Sequence, residues 1–277
     1  MRIIDSAESS HIVGRMNEQP AIKDAGVGPD PQVLCAARVC LFLDVDGTLI
    51  EFASTPDGVR VEPATIELLT RLRNLLGGAM ALISGRQLAA LDEMFRPLVL
   101  PAAGIHGFER RSAGGQVFRP SVSTARLDHT RQRLQPALRR HQGLLLEDKG
   151  YALALHYRNA PEDAEIAVET MSGAAAELGP EYEIVAGAAV VEVKPSRQNK
   201  GTAIDAFMKE APFAGRMPVF LGDDITDYAG FAAVRNHGGF DISVSRRVSA
   251  RWYLEGPAAT HAWLSRLERC LKGGDKS

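Results

Sequence analysis

From Arg38 onward, apolar runs of strand length alternate with amphipathic stretches, and the pattern changes character twice. VCLFL (39–43) is uninterrupted by polar residues, as in a strand buried on both faces. In PATIELLTRLRNLLGG (63–78), Pro63 suits a first helical turn, Ile66, Leu69, Leu72 and Leu76 share one face, and Gly77 and Gly78 end the helix. AMALIS (79–84) predicts a second buried strand, GRQLAALDEMF (85–95) a helix, and LVLPAAGIHG (98–107) a third strand. This β-α-β-α-β order predicts an α/β fold with a parallel, doubly wound sheet.

The same theme returns near the C-terminus. NKGTAIDAFMKEA (199–211) and TDYAGFAAV (226–234) read as helices, MPVFLGDD (217–224) and GFDISVS (239–245) as strands, and PAATHAWLSRLERCLKG (257–273) as an amphipathic helix. Between the two parts the period differs. TARLDHTRQRLQPALRRHQG (124–143) is helical with a kink or break expected at Pro136, and PEDAEIAVETMSGAAAELG (161–179) is a helix opened by Pro161. LLLEDKGYALALHYR (144–158) and YEIVAGAAVVEVKP (182–195) predict hairpins turning at Lys149-Gly150 and Ala186-Gly187. The expected organisation is an N-terminal arm over 1–37 with a linker at 24–32, a core over 38–118, an inserted α/β domain over 119–196, and the rest of the core over 197–277.

Composition narrows the class. The 277 residues are 45% hydrophobic and 24% charged, which excludes a wholly disordered chain, and the net charge of −2 argues against a nucleic-acid coat. Cys35, Cys40 and Cys270 form no CxxC pair and no metal spacing, as expected in a reducing compartment. No apolar stretch reaches the ~18 residues of a membrane span, and MRIIDSAESSHIVGRM has no signal-peptide run, so a cytoplasmic location is expected.

The polar residues that end the buried strands carry the candidate chemistry. In open α/β sheets, ligands bind beyond the carboxyl ends of the strands. DVDGTL (44–49) places Asp44 and Asp46 at one such end, where two carboxylates can share a cation such as Mg²⁺. Asp44 can attack phosphorus, Asp46 can serve as acid and then base, and Thr48 can position a neighbour. Ser84-Gly85-Arg86 follows the next strand, and a hydroxyl opening a helix there can bind a phosphoryl oxygen. Lys200 opens the returning helix, where an ammonium can neutralise a carboxylate and a phosphate together. GDDITD (222–227) offers Asp223 to complete a metal site with Asp44 and Asp224 and Asp227 to support it, or else a strand-to-helix turn capped by Thr226 or Asp227. His106 is either a packed histidine or a residue of the site entrance.

In that order, DVDGTL, Ser84, Lys200 and GDDITD resemble the four motifs of the haloacid dehalogenase superfamily, and Asp46 fits its phosphatase branch. GIHGFERR, LEDKGYALALHYR, VVEVKPSRQNKGTAI and GDDITDYAGF resemble the trehalose-6-phosphate phosphatases, a likeness running from about Val39 to Phe231. The resemblance implies a Mg²⁺-dependent phosphatase with a Rossmann-like core and an inserted α/β cap domain that closes over a sugar. It implies Asp44 as nucleophile, Asp46 as acid/base, and Ser84, Gly85, Arg86 and Lys200 at the phosphate. Mg²⁺ would lie on Asp44, the Asp46 carbonyl and Asp223, and Glu147, Lys149, Arg158 and Glu192 would face the substrate. The substrate implied is trehalose 6-phosphate, with sucrose 6-phosphate or mannosyl-3-phosphoglycerate as the alternative, and with possible functional pairing to a separate synthase. The chain departs from the family pattern at Ala188, where Lys is frequent, and at Tyr228, where Glu is usual.

Overall fold

The computed structural model describes residues 26–35, 37–52, 60–121 and 125–274. Most of the arm expected over 1–37 lies outside these residues. By contact, Ser121–Arg197 forms one compact unit, and the described residues up to Pro120 and from Gln198 onward form the other.

The core unit is built on one sheet. In spatial order its strands are β1 (Gly26–Val27), β13 (Trp252–Leu254), β12 (Phe240–Val244), β11 (Met217–Gly222), β2 (Val39–Leu43), β3 (Met80–Ile83), β4 (Ala102–Gly104), β5 (Glu109–Arg111) and β6 (Val117–Phe118). Pairing is parallel from β1 to β4 and antiparallel from β4 to β6. β2 is buried along its length and alternates between two cores. Leu41 and Leu43 pack with Leu69, Leu72, Trp263 and Leu264, from the helices Pro63–Leu75 and Pro257–Gly274. Cys40 and Phe42 pack with Phe207, Phe213, Phe220 and Phe231 on the other face. The uninterrupted apolar run is thus a period-2 strand with two buried sides.

Several expectations need correction. The linker expected at 24–32 contributes β1 to the sheet, followed by a helix, Pro31–Cys35. Pro29 accepts a hydrogen bond from Trp263 Nε1 at 2.8 Å, and Leu34 is buried, so a Pro- and Gly-rich stretch is tied down by its few apolar groups. The strands β5 and β6 carry little apolar signal. Their arginines are held by partners distant in sequence: Arg111 makes a bidentate pair with Asp92, and Arg110 pairs with Glu210 at 2.8 Å.

The inserted unit is a four-stranded antiparallel sheet in the order β7 (Leu145–Asp148), β8 (Leu153–His156), β10 (Val190–Pro195) and β9 (Tyr182–Gly187). Leu153, Leu155, Val191 and Val193 share a core with Leu127, Leu134, Val168, Met171 and Leu178 of the helices Ala125–Arg140 and Ala164–Leu178. The first of these helices continues through Pro136 and is not broken there. The second hairpin turns at Ala188 and Ala189, two residues later than expected; Gly187 pairs with Val190 as the last rung, and Ala189 takes the left-handed conformation at φ 60°.

Candidate active site

Strand order reverses between β2 and β11, so their carboxyl ends frame the crevice expected of a doubly wound sheet. Asp44 follows β2, and its backbone N–H donates to Leu221 O at 2.9 Å, which locks it beside the end of β11. The chain then turns tightly: Leu49 N donates to Val45 O at 2.9 Å and Gly47 N to Ile50 O at 2.8 Å. Gly47 sits at φ 80°, and a Cβ there would collide with the Asp223 carboxylate, so the turn admits only glycine without rearrangement.

Lys200 enters from the N-terminus of the helix Lys200–Phe207. Its ammonium is buried and donates to Asp44 Oδ1 at 2.7 Å and Asp227 Oδ1 at 2.6 Å. Asp227 Oδ2 accepts the backbone N–H groups of Asp223 at 2.9 Å and Asp224 at 3.0 Å, which shapes the loop after β11. Oxygens of Asp44, Asp223 and Asp227 lie within 4.8 Å of one another. Asp224 stands outside this trio and caps the turn Ile225–Asp227 through a 2.6 Å bond from Ile225 N. Thr48 Oγ1 lies 3.5 Å from Asp223 Oδ1.

Three buried carboxylates around one ammonium leave an excess of negative charge. Burial, only partly offset by Lys200, pushes Asp44 up to about 7, with Asp227 and Asp46 adding to the rise. Burial, then the charges of Asp44, Asp227 and Asp224, push Asp223 up to about 10. Burial disfavours the charge on Lys200, but Asp227 and Asp44 outweigh it and hold the ammonium well above its ordinary range.

Asp46 and Arg86 meet in a bidentate pair, with Nε to Oδ2 at 2.7 Å and Nη2 to Oδ1 at 2.8 Å. Ser84 is buried, and its Oγ accepts from Arg86 N at 3.1 Å. The next helix is Leu88–Met94, so Ser84 directly follows β3 and does not open a helix as expected. His106 is packed against this loop in the left-handed region at φ 54°, and a Cβ on Gly85 would lie 2.8 Å from its ring.

In the inserted unit, Glu147 and Glu192 both lie opposite Ala154 on neighbouring strands, and so share the sheet face away from the apolar core. Glu147 Oε2 is 2.8 Å from His156 Nε2, and Lys149 Nζ donates to Glu192 Oε2 at 2.6 Å. Burial alone would raise Glu147; the hydrogen bond from His156 and the charge of Lys149 prevail and hold it below its ordinary value. Arg158 Nη2 donates to Ala188 O at 3.1 Å, at the turn of the second hairpin.

A model of the trehalose-phosphatase family matches residues 42–258. The chain is 40% identical over 238 residues to the trehalose-6-phosphate phosphatase of Escherichia coli, covering 86% of this chain and 89% of that protein. It is 43% identical over 210 residues to a probable trehalose-phosphate phosphatase of Sinorhizobium fredii, covering 76% and 79% of the two chains. This chain belongs to the trehalose-phosphatase family. The fold is also shared with the C-terminal domain of a Candida albicans trehalose-6-phosphate phosphatase, at a TM-score of 0.77 and 20% identity, over 89% of this chain and 99% of that one.

For a trehalose-phosphatase family member, the donor set suits a hard divalent cation. Asp44 and Asp223 present buried oxygen ligands with excess negative charge, whereas both oxygens of Asp227 are engaged by Lys200 and backbone N–H groups. One residue at the site is absent from the sequence reading. Arg247, beyond the end of β12, places Nη1 3.3 Å from Asp223 Oδ2. The rule that singled out the ends of β2, β3 and β11 also covers the Ser-Arg-Arg that ends β12, and applying it there would have found this residue.

Proposed function

We propose that this chain hydrolyses trehalose 6-phosphate to trehalose and phosphate, with Mg²⁺ as its cofactor and Asp44 as nucleophile. The observation that carries this reading is the buried Asp44–Lys200–Asp227 network at the crevice of a chain 40% identical to the Escherichia coli enzyme.

Lys200 keeps the Asp44 carboxylate oriented and offsets its charge as the phosphate approaches. An Asp44 oxygen attacks phosphorus, and the sugar oxygen leaves with a proton from Asp46, giving an aspartyl-phosphate. Water then attacks that phosphorus and gives its proton to Asp46; phosphate departs and Asp44 is restored. Arg86 grips both oxygens of Asp46, so proton transfer requires this pair to loosen, which frees donors for the phosphate beside Ser84 and Gly85. Asp44, Asp223 and the Asp46 carbonyl would hold Mg²⁺, which when bound supplies positive charge for the meeting of two anions. Thr48, Asp224 and Asp227 hold the loops that carry these groups.

We assign Glu147, Lys149, Arg158 and Glu192 to the sugar. Family membership favours the disaccharide over sucrose 6-phosphate or mannosyl-3-phosphoglycerate. The reading also carries a cytoplasmic setting, with the substrate made by a separate synthase; among the described residues, no helix is long and apolar enough to cross a membrane. The test is phosphate release with Mg²⁺, and with EDTA as control, across trehalose 6-phosphate, sucrose 6-phosphate, glucose 6-phosphate and mannosyl-3-phosphoglycerate. Strong preference for the first is expected; a flat profile would overturn the substrate assignment and leave the phosphatase chemistry.

A further inference from the structure

The cations near the crevice are committed to different degrees. Lys200 is buried between Asp44 and Asp227, and Arg86 is locked to Asp46. Arg247 is different: its side chain is 45% exposed, yet it touches Asp223, which is 1% exposed. Their hydrogen bond, from Nη1 to Oδ2, is 3.3 Å long.

The loop that delivers Arg247 is built for the purpose. Ser245 and Arg246 both take positive φ, 67° and 56°, a conformation that costs energy for residues with a Cβ. Neighbours hold them there. Ser245 N donates to Leu254 O at 2.8 Å, and the Arg246 guanidinium lies 3.5 Å from the centre of the Tyr253 ring. The Arg247 guanidinium lies 4.9 Å from the Phe52 ring centre, on the segment that follows the Asp44 turn. Tyr228, which replaces the family's usual Glu, packs edge-on against Phe231 and accepts a long 3.4 Å bond from Ser249 N on the same loop.

We propose that Arg247 is a positioning residue that holds Asp223 in the metal-free enzyme, yields Oδ2 to the arriving divalent cation, and so sets the metal affinity. This rests on the assignment of Asp223 to the cation. A guanidinium and a divalent ion compete for one oxygen, and each repels the other. The guanidinium contact is long and partly wetted, so it is weak enough to be displaced.

The experiment titrates Mn²⁺ into the full-length metal-free protein and reads the free ion by electron paramagnetic resonance. The variants are Arg247→Ala, Arg247→Gln, Arg246→Ala and Asp223→Asn, each checked for folding by thermal melting. Arg247→Ala and Arg247→Gln should bind Mn²⁺ about 5-fold more tightly than the parent, the size of effect expected from removing a weak, partly exposed pair. Arg246→Ala removes the same charge one residue away and should stay within about 2-fold, since exposed charges at longer range are screened. The proposal is overturned if Arg247→Ala binds like the parent, or if Arg246→Ala gains as much. Unchanged Mn²⁺ binding in Asp223→Asn would instead reject Asp223 as a metal ligand, a failure separate from that of Arg247.

Discussion

Asp223 and Asp44 are carboxylates placed where water cannot solvate their charge. Both have folded-state values above the ordinary carboxylate range, about 10 and about 7, with burial as the first cause. A carboxylate raised on folding gives stability that is fully present below its unfolded value and fades as pH rises toward the folded value. For these two groups the loss begins near pH 4 and runs to about 7 for Asp44 and about 10 for Asp223. In EDTA, the melting temperature should therefore fall between pH 5 and pH 8 more steeply in the parent than in Asp223→Asn. Added Mg²⁺ should raise the parent's melting temperature more at pH 8 than at pH 5, because a metal needs ionised ligands. Equal slopes for parent and variant, or a Mg²⁺ effect independent of pH, would contradict this account of the carboxylates. At this scale Asp44, Ser84 and Asp223 were legible because each follows a recognisable strand, and Lys200 because it opens the returning helix. Arg247 follows the end of β12, where the same strand-end rule reaches it, although its partner Asp223 belongs to another strand end.

Secondary-structure elements were legible in proportion to how fully their pattern is set by local burial. VCLFL declares a doubly buried strand, and the cap strands LALH and VVEV declare their alternation. In the cap sheet that alternation puts Glu147 and Glu192 on one face beside Ala154, with the apolar residues on the other. Glu147 lies far along the chain from Asp44, the proposed nucleophile, and pairs with His156 in its own unit. Glu147→Ala should accordingly reduce kcat/KM for trehalose 6-phosphate by at least about 10-fold, the loss expected of a charged hydrogen bond. It should alter hydrolysis of p-nitrophenyl phosphate little. Equal losses on both esters would argue against a sugar contact. Elements fixed by distant partners were less legible. β1 is a two-residue strand recruited by the sheet edge, β5 relies on Arg111–Asp92, and the helix through Pro136 keeps its apolar stripe, Leu127 and Leu134, in the core despite the proline. The displaced turn at Ala188 and Ala189 was hidden because the adjoining Gly187 looked like the better turn former.

At the scale of the whole molecule, the order of patterns along the chain was the strongest signal. A doubly wound alternation interrupted by an antiparallel one implies an insertion; by contact, Ser121–Arg197 is one compact unit, and the described residues up to Pro120 and from Gln198 onward are the other. The proposed catalytic groups, contributed by the ends of β2, β3 and β11 and the helix at Lys200, are separated by up to 183 residues between Asp44 and Asp227, and only closure of the parallel sheet brings them together. That convergence is the physical reason for assigning phosphoryl transfer to this crevice. Its most direct test is phosphate release from trehalose 6-phosphate by Asp44→Asn, with the melting temperature measured alongside and the protein acid-quenched for peptide mass analysis. The variant should fold, release no phosphate above the no-enzyme rate, and lack the phosphoryl adduct that the parent carries on the peptide containing Asp44. Turnover near the parent's in a folded Asp44→Asn protein, or an adduct on another residue of the parent, would contradict the account.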